Sequence, residues 1–210
     1  MRSRRPKVGL VTADLRLASR VRRLLGEYDA DLVHVADPRD MPLDVGAVIA
    51  KRGEGLVEEH GRVLYFEDFG SVEELVEKAV ELAITGSDYM MVAVAIDPGK
   101  SPGVAYLIDN KLLKTRRYGL VEEMVDDVGR FIESHSKARR RYVIIGSSTS
   151  FENVKEILRK LEKKLRDRGA TIIVCDESFT SRGLLPKLKG MSKDEYSALI
   201  LSLKNLIRLG

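Results

Sequence analysis

Between Val92 and Cys175 the chain sets out its apolar segments in an order that few folds accommodate. Val92–Ile96 is a continuous apolar run, short enough to be a strand and bounded by Asp97 and Pro98. Val104–Asp109 and Lys111–Tyr118 follow, joined by a tight turn at Asp109-Asn110, so the three runs predict an antiparallel meander. Val121–Ser134 places Val121, Met124, Val125, Val128, Phe131 and Ile132 on one helical stripe. Arg141–Gly146 then predicts a strand. Phe151–Arg168 predicts a helix, capped by Thr149 with Glu152 three residues on and stopped by Gly169. Thr171–Cys175 predicts a strand, and residues 193–208 a final helix. Tight turns join antiparallel strands, whereas crossover helices join parallel ones. The order therefore predicts a mixed sheet with helices on both faces.

The first half reads differently. Strands are predicted at Lys7–Val11, Asp31–Ala36, Val45–Ala50 and Arg62–Phe66, and a helix at Asp14–Leu25 with Leu17, Val21, Leu24 and Leu25 at helical spacing. A second helix, Val72–Ile84, begins with Ser71 and Glu74 as a capping box. The linkers around Pro38–Pro42 and Arg52–His60 have room for turns or a short helix. This half predicts a small parallel α/β domain, flavodoxin- or receiver-like, over residues 1–86, with a boundary near Thr85–Tyr89 and a second domain over 90–210. It has no glycine fingerprint for a dinucleotide. A receiver needs an acid at the end of its third strand, where "GAVIAKRG" offers Ala50 and Lys51. A docking, substrate-gripping or dimerising module is the remaining expectation.

Charge separates the halves again. Residues 1–90 carry 13 basic and 17 acidic side chains, while residues 91–210 carry 23 basic and 15 acidic ones. A basic second half predicts a polyanionic partner, most simply nucleic acid. The hydrophobic fraction of 44% is enough for a packed core. No apolar run approaches the ~18 residues of a membrane span, and "MRSRRPKVGL" lacks an apolar signal region. A cytoplasmic protein outside the membrane is expected. The single Cys175 excludes an internal disulfide, and His34, His60 and His135 are too scattered for a zinc site. Gln and Trp are absent and 32% of residues are charged, a composition that resembles a thermophile's.

Few carboxylates sit at the ends of predicted elements. Asp97 ends the first strand of the second half, Asp176 and Glu177 end its last, and Asp194 lies in the first turn of the final helix. If the two strands are parallel within one sheet, their acids emerge at one edge, and the final helix can lay Asp194 over it. Clustered carboxylates repel one another unless a cation joins them. A hard divalent ion such as Mg²⁺ suits an all-oxygen donor set. Two such ions ~3.5–4 Å apart stabilise the attacking and leaving oxygens of a phosphodiester. Each acid also has a plainer use. Asp97 before Pro-Gly suits a turn, Asp176 and Glu177 suit a loop, and Asp194 complements a helix dipole. Ser192 and Glu195 form a capping box, which leaves Asp194 to point elsewhere. Arg182, Lys187, Lys189 and Lys193, with Lys100 in the first hairpin, are candidates to hold a phosphate backbone. Ser147 ends the fourth strand and either caps a helix or lines the same edge. The run "KARRR" at 137–141 reads as a solvated turn.

On these residues the second half resembles the ribonuclease H-like superfamily and, within it, the RuvC/YqgF group of Holliday-junction-resolvase-like nucleases. "IDPGKSPGVA" looks like the group's first motif, "DESFTS" like the Asp-Glu-Arg-hydrophobic-Thr-Thr/Ser motif of the YqgF branch, and "DEYSALILSL" like the final motif. The likeness covers about residues 91–208. It implies a ribonuclease H-like mixed sheet and Mg²⁺- or Mn²⁺-dependent cleavage of branched DNA or structured RNA. By position, Asp97, Glu177 and Asp194 are its implied catalytic metal ligands, with Asp176 beside them. Ser178 stands where the YqgF motif has Arg, "YVIIGSS" lacks the Glu of the RuvC branch, and Ser197 replaces a small or acidic residue. Two other readings share the fold. One is a non-catalytic nucleic-acid-binding protein. The other is an ATP-binding phosphotransfer protein of the actin or sugar-kinase type, which usually pairs two Asp-x-Gly lobes where this chain has one. A symmetric junction suits a homodimer by analogy.

Overall fold

A computed structural model describes residues 5–28, 30–53, 62–86, 88–109, 111–146 and 151–175. The chain divides into two compact units, Met1–Asp88 and Tyr89–Gly210.

In the first unit, β1 (Lys7–Val11), β2 (Asp31–Val35), β3 (Ala47–Ala50) and β4 (Val63–Tyr65) form a parallel sheet in the order β2-β1-β3-β4. Flavodoxin-like sheets begin with this order. Helices α1 (Leu15–Leu25) and α2 (Val72–Thr85) pack together. Asp14 stands just outside α1 as its cap, accepting from the N–H groups of Arg16 (2.9 Å) and Leu17 (3.1 Å). Ser71 Oγ accepts from the N–H of Glu74 at 3.1 Å and caps α2. The Tyr28 hydroxyl donates to Glu77 at 2.9 Å and so ties the end of α1 to α2. Burial pushes this phenol well above its ordinary value. Val11, Val48 and Ala50 pack with Met41, Val33 and Val35 in a separate cluster. Gly46 is required by close approach: a Cβ there would lie 2.8 Å from the Cα of Ala83 on α2. The stretch around Pro38 forms a short 3₁₀ turn, Pro38–Asp40.

The second unit contains β5 (Met91–Asp97), β6 (Gly103–Ile108), β7 (Lys111–Arg117), α3 (Val121–Ser134), β8 (Arg140–Gly146), α4 (Phe151–Leu165) and β9 (Thr171–Cys175). The sheet order is β7-β6-β5-β8-β9. β5–β6 and β6–β7 are antiparallel, while β5–β8 and β8–β9 are parallel. β5 is central, which explains why it is apolar as far as Asp97: every residue but Met91 is buried. The connections through α3 and α4 both step across the sheet in the same direction. Right-handed crossovers therefore put both helices on one face, where they pack on each other. That face includes Tyr106, whose ring meets Phe131 of α3 edge-on at 4.9 Å. The opposite face carries Ala93, Ala95, Ala105 and Leu107, with Met91, Leu112 and Tyr142 packed against them. The final helix predicted at 193–208 lies outside the described residues. α4 ends at Leu165, earlier than the predicted Arg168, and Gly169 then takes a positive φ of 62°.

Candidate metal centre at the carboxyl edge of the second sheet

Successive side chains of a strand alternate between faces. Asp97 therefore shares the face of Ala93 and Ala95, away from α3 and α4. It ends β5, is only 8% exposed, and pairs with Gly103 of β6. Burying a carboxylate costs several kcal/mol unless charge or hydrogen bonds offset it. The ladder supplies one cation on the same face. Gly103 pairs in turn with Arg117 of β7, so Asp97, Gly103 and Arg117 form one row across three strands. Gly103 has no side chain to stand between its two neighbours. The Asp97 and Arg117 backbones are two strand spacings apart, ~9.6 Å, a gap that long side chains can bridge.

The other side of Asp97 is parallel sheet. Ile96 pairs with Ile145 of β8, and one residue further along, Gly146 pairs with Cys175 of β9. The carboxyl ends of β5 and β9 thus lie at one edge, again ~9.6 Å apart. Asp176 and Glu177 follow Cys175 in the sequence.

Beneath this edge, on the helix side, a buried polar group fixes the meander to α3. The hydroxyls of Tyr106 and Tyr118 are 2.6 Å apart. Asp127 of α3 accepts from Tyr118, and from Tyr106 at 3.2 Å. Arg116 (3.3 Å) and Arg130 (3.0 Å) complete its shell. Burial pushes both phenols well above their ordinary value, and neighbouring Asp127 adds to the rise. Burial also pushes the Asp127 carboxyl upward, but hydrogen bonds from Tyr118 and Arg130 outweigh it and hold the group below the ordinary aspartate value. The N–H of Tyr118 donates to Pro102 at 3.0 Å, which pins the β5–β6 hairpin beside Asp97.

Of the residues singled out in the sequence, Asp97 is at this edge and Lys100 is exposed in the hairpin that follows it. Ser147, Asp176, Glu177, Arg182, Lys187, Lys189, Lys193 and Asp194 lie outside the described residues. Among the described residues, no group of three His, Cys, Asp or Glu side chains is arranged to hold a metal ion. No described helix is long and apolar enough to cross a membrane. Arg117, which was not among the sequence candidates, is brought to the face of Asp97 by the strand register alone.

No family model matches the sequence. No curated protein matches it either. Among solved structures, it is similar to T. thermophilus RuvC in complex with Holliday junction substrate, at 18% identity and a TM-score of 0.42, over 57% of this chain and 96% of that one. It is also similar to the Thermus thermophilus RuvC structure, at 18% identity and a TM-score of 0.37, over 57% of this chain and 97% of that one. Independently of these likenesses, the strand order and register give the second unit three antiparallel strands followed by parallel strands reached through crossover helices, the mixed sheet that the sequence predicts.

Proposed function

We propose that the protein is a divalent-metal-dependent nuclease acting on structured nucleic acid, with Asp97, Glu177 and Asp194 as the metal-holding residues and Asp176 beside them. The observation that carries this reading is the parallel β5–β8–β9 arrangement, which ends the strand bearing Asp97 and the strand leading to Asp176 at one edge. The donor set is all carboxylate and fits Mg²⁺ or Mn²⁺ in its chemistry. When bound, such an ion activates water and offsets charge developing on the phosphate. Asp97 contributes a buried carboxylate at the end of the central strand of the sheet. Lys100 and Arg117 hold the phosphodiester beside it, as Arg182, Lys187, Lys189, Lys193 and Ser147 do from later in the chain. A two-fold symmetric junction would engage a homodimer.

The direct test is cleavage of a labelled four-way DNA junction and of a structured RNA, with Mg²⁺ or with EDTA. Products with Mg²⁺ and none with EDTA are expected. Binding without cleavage in any divalent ion would leave a non-catalytic protein of the same fold.

Arg117 has its own signature. Arg117→Ala is expected to raise KM about tenfold and leave kcat nearly unchanged, because holding a phosphate equally in ground and transition states is uniform binding. Steady-state kinetics on the junction checks this. A loss confined to kcat would assign Arg117 to the chemical step instead.

A further inference from the structure

Helix α1 has two unlike faces. Leu17, Ala18, Val21 and Leu25 are buried against the first unit. Arg16, Ser19, Arg20, Arg22 and Arg23 are exposed, as is Leu15 at 76%. The helix therefore carries four arginines and no acid in 11 residues, within a half whose acids outnumber its bases by 17 to 13. A stripe this basic does not follow from the composition around it. Arg20 pairs with Glu73 of α2 at 3.1 Å. Among the described residues, Arg16, Arg22 and Arg23 have no carboxylate within ion-pair distance. Arg16 acts on the Asp14 cap, and Arg23 on Glu73, through space. Leu15, Arg16, Ser19, Arg20 and Arg23 line one open groove of about 450 Å³.

We propose that this face of α1 grips the sugar–phosphate backbone of a nucleic acid, making the first unit a second point of contact for the substrate. Arg16, Arg20 and Arg23 recur at helical spacing and so share one side. From Arg16 to Arg23 the helix rises ~10.5 Å. Phosphates of one duplex strand advance ~3.4 Å each along the axis, so the stripe spans about three of them. Arginine offers a planar fork that binds phosphate oxygens in pairs, and all four cations here are arginine. Ser19 adds a hydroxyl donor between them, and Leu15 an apolar surface for a sugar edge. The proposal rests on the nucleic-acid part of the reading above and is independent of catalysis.

Fluorescence anisotropy of a labelled DNA junction and a labelled RNA hairpin, with the full chain in EDTA and across a KCl titration, tests it. Arg16→Ala/Arg23→Ala leaves the Arg20–Glu73 pair in place. It is expected to weaken binding about tenfold and to flatten the slope of log affinity against log salt by ~2. Arg16→Lys/Arg23→Lys is expected to keep the slope, which separates lost phosphate contacts from a damaged fold. Unchanged affinity and slope in the alanine variant would overturn the proposal. So would lost binding to phosphatidylserine vesicles with nucleic-acid binding intact, which would make α1 a membrane-surface helix. Wild-type chain that binds neither probe would overturn both this proposal and the nuclease reading. Salt-sensitive binding through α1 by a chain that never cleaves would sink only the latter.

Discussion

Asp97→Asn is expected to lower Mg²⁺-dependent junction cleavage by about three orders of magnitude, the rate equivalent of ~4 kcal/mol. The substitution keeps the shape of the side chain and removes its charge. Asp97 is 8% exposed at the end of the central strand, so the amide fits the same space. A neutral amide also costs less to bury than a carboxylate. The variant should therefore melt no lower than the wild type, and it should still bind the junction in EDTA. Loss of cleavage with both of these retained assigns the carboxylate to the chemistry. A variant that keeps most of the wild-type rate would remove Asp97 from the site and take the metal proposal with it.

The largest expected loss of stability comes from Asp127→Ala. The change takes away the acceptor shared by the buried hydroxyls of Tyr106 and Tyr118. The two hydroxyls can still bond to each other, but one proton is left without an acceptor. Leaving a buried donor unsatisfied costs ~1–3 kcal/mol, and a lost bond to a charged group adds to it. A loss of ~2–3 kcal/mol in urea unfolding is therefore expected. Arg116 and Arg130 are more than half exposed, so their ion pairs with Asp127 add little. The pH dependence has a definite sign. The folded state holds the Asp127 carboxyl below the unfolded value of ~3.9. Its contribution is thus complete above that value and is lost as pH falls through the folded pKa. Wild type and variant should converge in stability on acidification below ~4. A constant gap between them down to low pH would show that packing, not the charge, is responsible.

The meander, both described crossover helices and the place of Asp97 were legible in the sequence because each rests on local pattern. An apolar run, a tight turn and a helical stripe need no knowledge of distant residues. Where element ends differ, they do so by one to three residues, mostly at strand ends; Asp14 caps α1 rather than opening it, and α4 stops three residues early. Arg117 was not legible, for a physical reason. A regular ladder continued from the Ile108↔Lys111 pair would set Gly103 opposite Arg116. The register shifts between Tyr106 and Leu107, and Gly103 instead faces Arg117. One extra residue in a strand exchanges its two faces. It therefore decides which arginine shares the face of Asp97 and which one reaches Asp127. The α1 arginines were hidden differently. The sequence showed the apolar stripe of that helix, but which of its arginines meet an acid depends on the side chains α2 brings alongside, as Glu73 does for Arg20.

The sheet order also sets a timetable for folding. β5, β6 and β7 are joined by short turns and pair with their immediate neighbours in the chain. β8 reaches β5 only after about fifty residues have looped back, and β9 can dock only once β8 is there. The hairpins are thus expected early and the parallel half late. A chain stalled between the two stages would hold Asp97 beside Arg117 with an open ladder edge on its other flank. Such an intermediate would be prone to mispairing along that open edge.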